Sequence, residues 1–184
     1  LKHGLKSLSK KLIRAEKRNL NQKYDRTDLR CRTLFDRVEC AKPLFVPSYN
    51  PDPRWQVGLP HKISEIDTAK VRKYTEKLTE SRLNDFWDLS FEFWDLVMLH
   101  LHDPDSMQDF GLGNYIQDYE RLDSTAADIA QNFSDDRTVI FLSDHGRMEH
   151  AEHNKQAFYS CNKELFGDKT PHITDFHDKI LELS

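Results

Sequence analysis

No apolar stretch in this chain approaches the ~20 residues that a membrane-crossing helix needs, so neither a helical membrane protein nor a membrane partner is expected. The basic start Leu1-Lys2-His3-Gly4-Leu5 is followed by no apolar signal core. The first residue is not Met, as in a processed, excised or incomplete chain, and a fragment or truncated form is expected. Cysteine is scarce: Cys31, Cys40 and Cys161 form an odd set without CxxC spacing. They read as reduced thiols of a reducing compartment, which predicts a cytoplasmic location. No internal repeat or low-complexity segment occurs, which sets aside a repeat array and a biased tract.

What is present suits one α/β domain. The 184 residues, 38% hydrophobic and 32% charged, are enough for a proper core in a rather polar protein. The net charge of −4 gives no general attraction to nucleic acid. The charge is uneven, however. Residues 1–30 hold ten Lys/Arg against three Asp/Glu, and Leu5, Leu8, Leu12 and Ile13 share one helical face. This predicts a basic helical segment over 1–30 and an α/β domain over 31–184. A nucleic-acid arm is the weaker alternative, because no aromatic residue alternates with the charges before Tyr24.

Along the chain, residues 33–38 read as a short helix and 44–46 as a brief strand. Pro47, Pro51 and Pro53 then force a loop to about Pro60. Ser64 and Asp67 offer a cap and an acidic first turn for helix over 64–93, as one helix or as two broken near Asn84. Its apolar face is Val71, Tyr74, Leu78 and Leu83, and then Phe86 and Trp87. The aromatics Phe86, Trp87, Phe91, Phe93 and Trp94 read as core. Residues 95–101 read as a strand buried on both faces, 114–132 as a helix, and 138–142 as another buried strand. A further helix begins near Thr174-Asp175, with His172 and His177 as surface residues. The order β-α-β-α-β predicts a mostly parallel sheet with helices on both faces, and ligands collect at the carboxyl ends of such strands.

Two strand ends carry ligand-type residues. Ser143-Asp144-His145-Gly146 follows the strand at 138–142, and Asp103-Pro104-Asp105-Ser106-Met107-Gln108-Asp109 follows the strand at 95–101. Carboxylate and imidazole suit a divalent metal. Asp105 and Asp109, four apart, meet one ion if the segment makes a helical turn. Asp144 and His145, being adjacent, are expected to point to different places. His150 and His153 are both placed to return a further ligand. Two ions ~3.5–4 Å apart would clamp a phosphoryl or sulfuryl group. His100-Leu101-His102 also has same-face spacing, but an amidohydrolase barrel needs about 250 residues, so His100 reads as a strand-end residue.

Asp105-x-x-x-Asp109-x-Gly111, the strand with Ser143-Asp144-His145-Gly146, and His153 with Phe158-Tyr159-Ser160 resemble the alkaline phosphatase superfamily. The closest branch is the type I phosphodiesterase/nucleotide pyrophosphatase group, over residues 33–184. The resemblance implies an alkaline-phosphatase-like sheet and hydrolysis of small phosphoric esters with two divalent ions, zinc or manganese. Asp144 and His145 would bind the ion that activates the nucleophile; Asp105, Asp109 and His153 would bind the second. Asp109 stands where the family pattern has His, and His150 competes with His153. Tyr49, Asn50 and Arg54 are placed to touch substrate.

The family's N-terminal strand with a metal-binding Asp, and its Thr or Ser nucleophile, have no counterpart upstream of Leu44. Thr27, Thr33 and Ser48 are the nearby hydroxyls, and none follows an apolar strand carrying an Asp. The catalytic residue is therefore unassigned, and a non-catalytic metal-binding or interaction domain is the alternative function. A sheet lacking its first strands would expose an edge and pair with itself.

Overall fold

The computed structural model describes residues 26–47, 49–54, 67–102, 104, 116–147 and 153–184. The basic segment at 1–25, Ser64, and much of the 47–60 loop therefore lie outside the described residues. Strand β1 is Ala41–Leu44 and helix α1 is Thr68–Trp87. Strand β2 is Leu96–Leu99, helix α2 Ile116–Phe133 and strand β3 Ile140–Leu142. Short strands β4 (Gly146–Arg147), β5 (His153–Asn154) and β6 (Tyr159–Cys161) precede helix α3 (Asp175–Leu183). The expected helix at 33–38 is a single 3-10 turn, Leu34–Asp36, in a capping box: Thr33 N and Oγ1 both donate to Asp36 Oδ2.

Helix α1 starts where a side chain can replace the missing helical acceptor. Asp67 caps it, accepting from Lys70 N at 3.2 Å. The helix runs unbroken past Asn84 and ends at Trp87, so the continuation to 93 is a separate 3-10 turn, Phe91–Phe93. Its inward stripe is Thr75, Leu78, Thr79, Arg82 and Phe86, all buried. Tyr74, expected on the apolar face, is 39% exposed, because its hydroxyl donates to the Arg54 carbonyl at the rim. The inward stripe is thus three-fifths polar, and apolar periodicity alone does not find it.

Strands β1 and β2 pair in parallel, Ala41 with Leu96 through Leu44 with Leu99. Met98 is 39% exposed, so β2 is not buried on both faces as expected. Strand β3 instead pairs antiparallel with β6, Ile140 opposite Cys161 and Leu142 opposite Tyr159. An antiparallel pair permits a direct return of the chain, and no helix lies between β3 and β6 among the described residues. The described architecture is α/β with one short parallel pair, β1 with β2, beside antiparallel pairs, where a mostly parallel sheet was expected.

Packing is aromatic at both ends. Phe133 of α2 lies 4.5 Å from Phe91, 6.2 Å from Phe86 and stacked 5.9 Å from Trp87. Phe93, read as core, is 67% exposed. Its 3-10 turn points Phe91 inward and, two residues on, Phe93 out. Tyr159, Phe166 and Phe176 form an edge-to-face trio that holds α3 on β6. Arg72 of α1 and Arg121 both donate to the buried Asp118 of α2, which joins the two helices. Cys31, Cys40 and Cys161 are free thiols. Among the described residues no helix is long and apolar enough to cross a membrane.

Candidate functional site

Strands β2 and β3 belong to separate ladders but are linked near both ends. At their starts, Arg137 Nη1 donates to the Trp94 carbonyl at 2.9 Å and Nη2 to the Phe91 carbonyl at 2.7 Å. At their far ends, the Asp144 carboxylate is close enough to His100 to act on it electrostatically. No ladder joins the two strands among the described residues, yet both deliver their carboxyl ends to one region.

The entry to the Asp-His pair is pinned from both sides. Before β3, Asn162 accepts from Val139 N at 2.8 Å and donates to the Ser134 and Arg137 carbonyls at 2.9 and 2.8 Å. After β3, Ser143 N donates to the Phe158 carbonyl at 3.0 Å and Phe158 N donates back to Ser143 Oγ at 2.9 Å. Gly146 then opens β4 opposite Asn154 of β5. A Cβ at Gly146 would stand 2.4 Å from the Gln156 carbonyl oxygen, so the chain passes where only glycine fits.

These constraints bring Asp144 and His145 together, not apart as their adjacency suggests. His145 Nε2 lies 3.7 Å from Asp144 Oδ1. His145 Nδ1 lies 3.2 Å from the Gly146 carbonyl; in the tautomer that carries its proton on Nδ1, Nε2 is the atom that would face a cation. Such a backbone contact orients a metal-binding imidazole. Two ligands ~2.0–2.1 Å from one tetrahedral ion stand roughly 3.4 Å apart, so the pair fits one cation with little adjustment. The Asp144 side chain is 84% exposed and His145 is 28% exposed, which leaves the pair reachable. Among the described residues no group of three or more His, Cys, Asp or Glu closes on one point. Asp105, Asp109 and His150 lie outside the described residues, and His153 is described only as backbone, opposite Arg147.

At the carboxyl end of β1 the chemistry is different. Asp52 has no exposed side-chain surface and accepts from Arg54 N, Arg54 Nε, Arg54 Nη2 and Arg82 Nε at 2.9 to 3.1 Å. Burial raises its pKa, but the hydrogen bonds from Arg54 and Arg82 outweigh that and hold it below the usual carboxylate range. Arg54 also donates to Asp85 at 2.7 Å and to Ser81. Phe45 adopts a left-handed φ of 61°, a conformation that costs roughly 1–3 kcal/mol for such a residue. Its ring sits 5.0 and 5.2 Å from the guanidinium carbons of Arg54 and Arg82.

The three residues expected at the substrate hold this loop in place. Tyr49 packs 4.9 Å from Phe35 and donates to Asp36 at 3.3 Å. Asn50 accepts from Val46 N at 3.0 Å and donates to the Pro43 carbonyl at 2.7 Å, and Arg54 is engaged as above.

His100 links the two flanks. Its N–H donates to the Leu44 carbonyl at 3.1 Å, and Arg82 donates to its own carbonyl at 3.3 Å. The ring meets His102 edge to face at 4.6 Å. Burial, then the positive fields of His102 and Arg82, lower its pKa to about 4, against a smaller opposing pull from Asp144. His100 is therefore neutral at physiological pH, as a strand-end residue and not a charged site group.

Sequence reasoning overlooked Asp52, Arg82 and Asn162. Asp52-x-Arg54 was visible as an i,i+2 ion pair, whereas Arg82 and Asn162 act across more than twenty residues and leave no local signal. Searches of curated proteins and of solved structures return no match. The family model of the type I phosphodiesterase / nucleotide pyrophosphatase group, in contrast, matches residues 12–170. That span includes the β1 loop, both β2 and β3 strand ends and the Asp144–His145 pair, and the chain belongs to the type I phosphodiesterase/nucleotide pyrophosphatase family.

Proposed function

We propose that this chain carries the metal-binding part of a hydrolase of phosphodiesters or pyrophosphates, working with two divalent ions, zinc or manganese, in an alkaline-phosphatase-like sheet covered by helices on both faces. The observation that carries this reading is the convergence of His145 Nε2 and Asp144 Oδ1, 3.7 Å apart at the end of β3, in a chain of this family. Asp144 and His145 would hold one ion; Asp105, Asp109 and His153 would hold the other. Bound ions of this kind polarise a phosphoryl oxygen and lower the pKa of an attacking hydroxyl. The protein's own share is positional. Gly146 and Ser143 fix the direction of the pair, the Nδ1–H tautomer of His145 leaves Nε2 available, and neutral His100 adds no repulsive charge. The loop carrying Tyr49, Asn50 and Arg54 would border the substrate.

Hydrolysis of a simple phosphodiester is the test. Expected are turnover that a chelator abolishes, recovery on adding zinc or manganese, and loss in Asp144→Ala/His145→Ala. Turnover indifferent to chelator, or retained in that variant, overturns the reading. A non-catalytic metal-binding domain is the second reading. It is favoured by the Thr33 hydroxyl, which already donates to Asp36 at 2.7 Å, and it would give metal binding without turnover. The free cysteines support a reducing, cytoplasmic setting. Each described sheet has two strands, which supports self-association through an open edge; a concentration-independent monomer in sedimentation would count against it.

A further inference from the structure

A second charged feature is built from residues other than the Asp-His pair. Arg26, Leu29, Arg30, Cys31, Arg32 and Asp36 line a solvent-open cavity of about 570 Å³. Among the described residues three arginines and one aspartate line it, an excess of two positive charges. Asp28, in the same stretch of chain, does not line it. Asp36 is the hub. It accepts from Thr33 N and Oγ1, from Tyr49 and from Arg26, and its backbone carbonyl accepts from Arg32. The hydrogen bonds from Thr33, helped by Arg26, lower its pKa to about 2, so its negative charge is constant and already counted.

The arginines are also oriented. The Arg26 guanidinium lies 4.9 Å over the Tyr49 ring, and Tyr49 in turn packs on Phe35. Each guanidinium has five N–H donors in a planar fork, and the contacts named here use one from Arg26 and one from Arg32. Forked donors on a fixed frame match the oxygens of a phosphate group better than a mobile ammonium does.

We propose that this cavity binds a small anion bearing two or more phosphate charges, at a site separate from the Asp144–His145 pair. Its volume suits a small ligand. A long polyanion is disfavoured, since the chain as a whole carries a net charge of −4, and the adjacent Tyr49 ring is covered by Arg26 and unavailable for base stacking. The proposal does not depend on hydrolytic activity.

Calorimetric titration of the full chain with inorganic pyrophosphate, in the presence of a chelator, tests it. Expected is one saturable site, weakened about ten- to a hundredfold in Arg30→Gln, as suits loss of a charged hydrogen bond. Arg30→Gln is chosen because it leaves both Asp36 contacts intact, and Arg30→Lys should recover only part of the affinity. Asp144→Ala/His145→Ala should bind pyrophosphate as the wild type does. No binding, affinity unchanged in a folded Arg30→Gln, or loss of binding in Asp144→Ala/His145→Ala would overturn the proposal. So would a single-stranded oligonucleotide that binds where pyrophosphate does not, since the site would then belong to nucleic acid.

Discussion

Asp52 and Asp144 follow the carboxyl ends of two different strands, β1 and β3, and live in opposite circumstances. Asp52 has no exposed side-chain surface and is saturated by four N–H donors. Asp144 is 84% exposed, and its described partner is the adjacent imidazole. A carboxylate whose lone pairs are already filled can only hold the fold, whereas one left open on a braced strand end can accept a ligand. The first flank therefore supports the site and the second offers it, with His100 between them bonded to Leu44 and Arg82 and sensing Asp144.

The contrast is most sharply tested where it should be largest. Arg82→Ala removes one of the four donors to the buried Asp52 and the bond to the His100 carbonyl, and is expected to cost about 3 kcal/mol, read as a fall in the urea midpoint. Next comes pH. His100 titrates at about 4 in the folded chain against an ordinary value of 6.5, so the unfolded chain takes up the proton first. Stability should thus be full above pH 6.5 and fall as pH drops towards 4, by at most roughly 3 kcal/mol. His100→Gln should flatten that part of the profile. Gly146→Ala must push against the Gln156 carbonyl and is expected to cost about 1–3 kcal/mol, with metal affinity falling as the Asp144–His145 geometry shifts. Smallest of all, Asp144→Asn should change stability by no more than about 0.5 kcal/mol. A large loss there would erase the distinction between the two aspartates.

The same contrast explains what could be read in the sequence. Strands β2 and β3, helices α2 and α3 and the Asp-His pair were legible because apolar runs and the residues that follow them are local signals. The neighbourhood of Asp144 and His145 was not, since their convergence depends on Ser143 and Gly146 being held by Phe158, Asn154 and the 156 carbonyl. The inward stripe of α1 was misjudged because Thr75, Thr79 and Arg82 are polar residues buried by partners far along the chain. β3 was read as part of a mostly parallel sheet, because nothing in Tyr159-Ser160-Cys161 announces an antiparallel return. The prolines marked the loop that carries Tyr49, Asn50 and Arg54 after β1, while the hydrogen-bond partners of these residues came only with the fold.

The most direct measurement is zinc and manganese binding by the wild type and by Asp144→Ala/His145→Ala, with thermal unfolding of both recorded in chelator. The expected result is at least a hundredfold loss of affinity in the variant with a metal-free melting temperature close to wild type. Equal metal affinity in the two proteins would contradict the assignment of the open carboxylate as the ligand and the saturated one as its support.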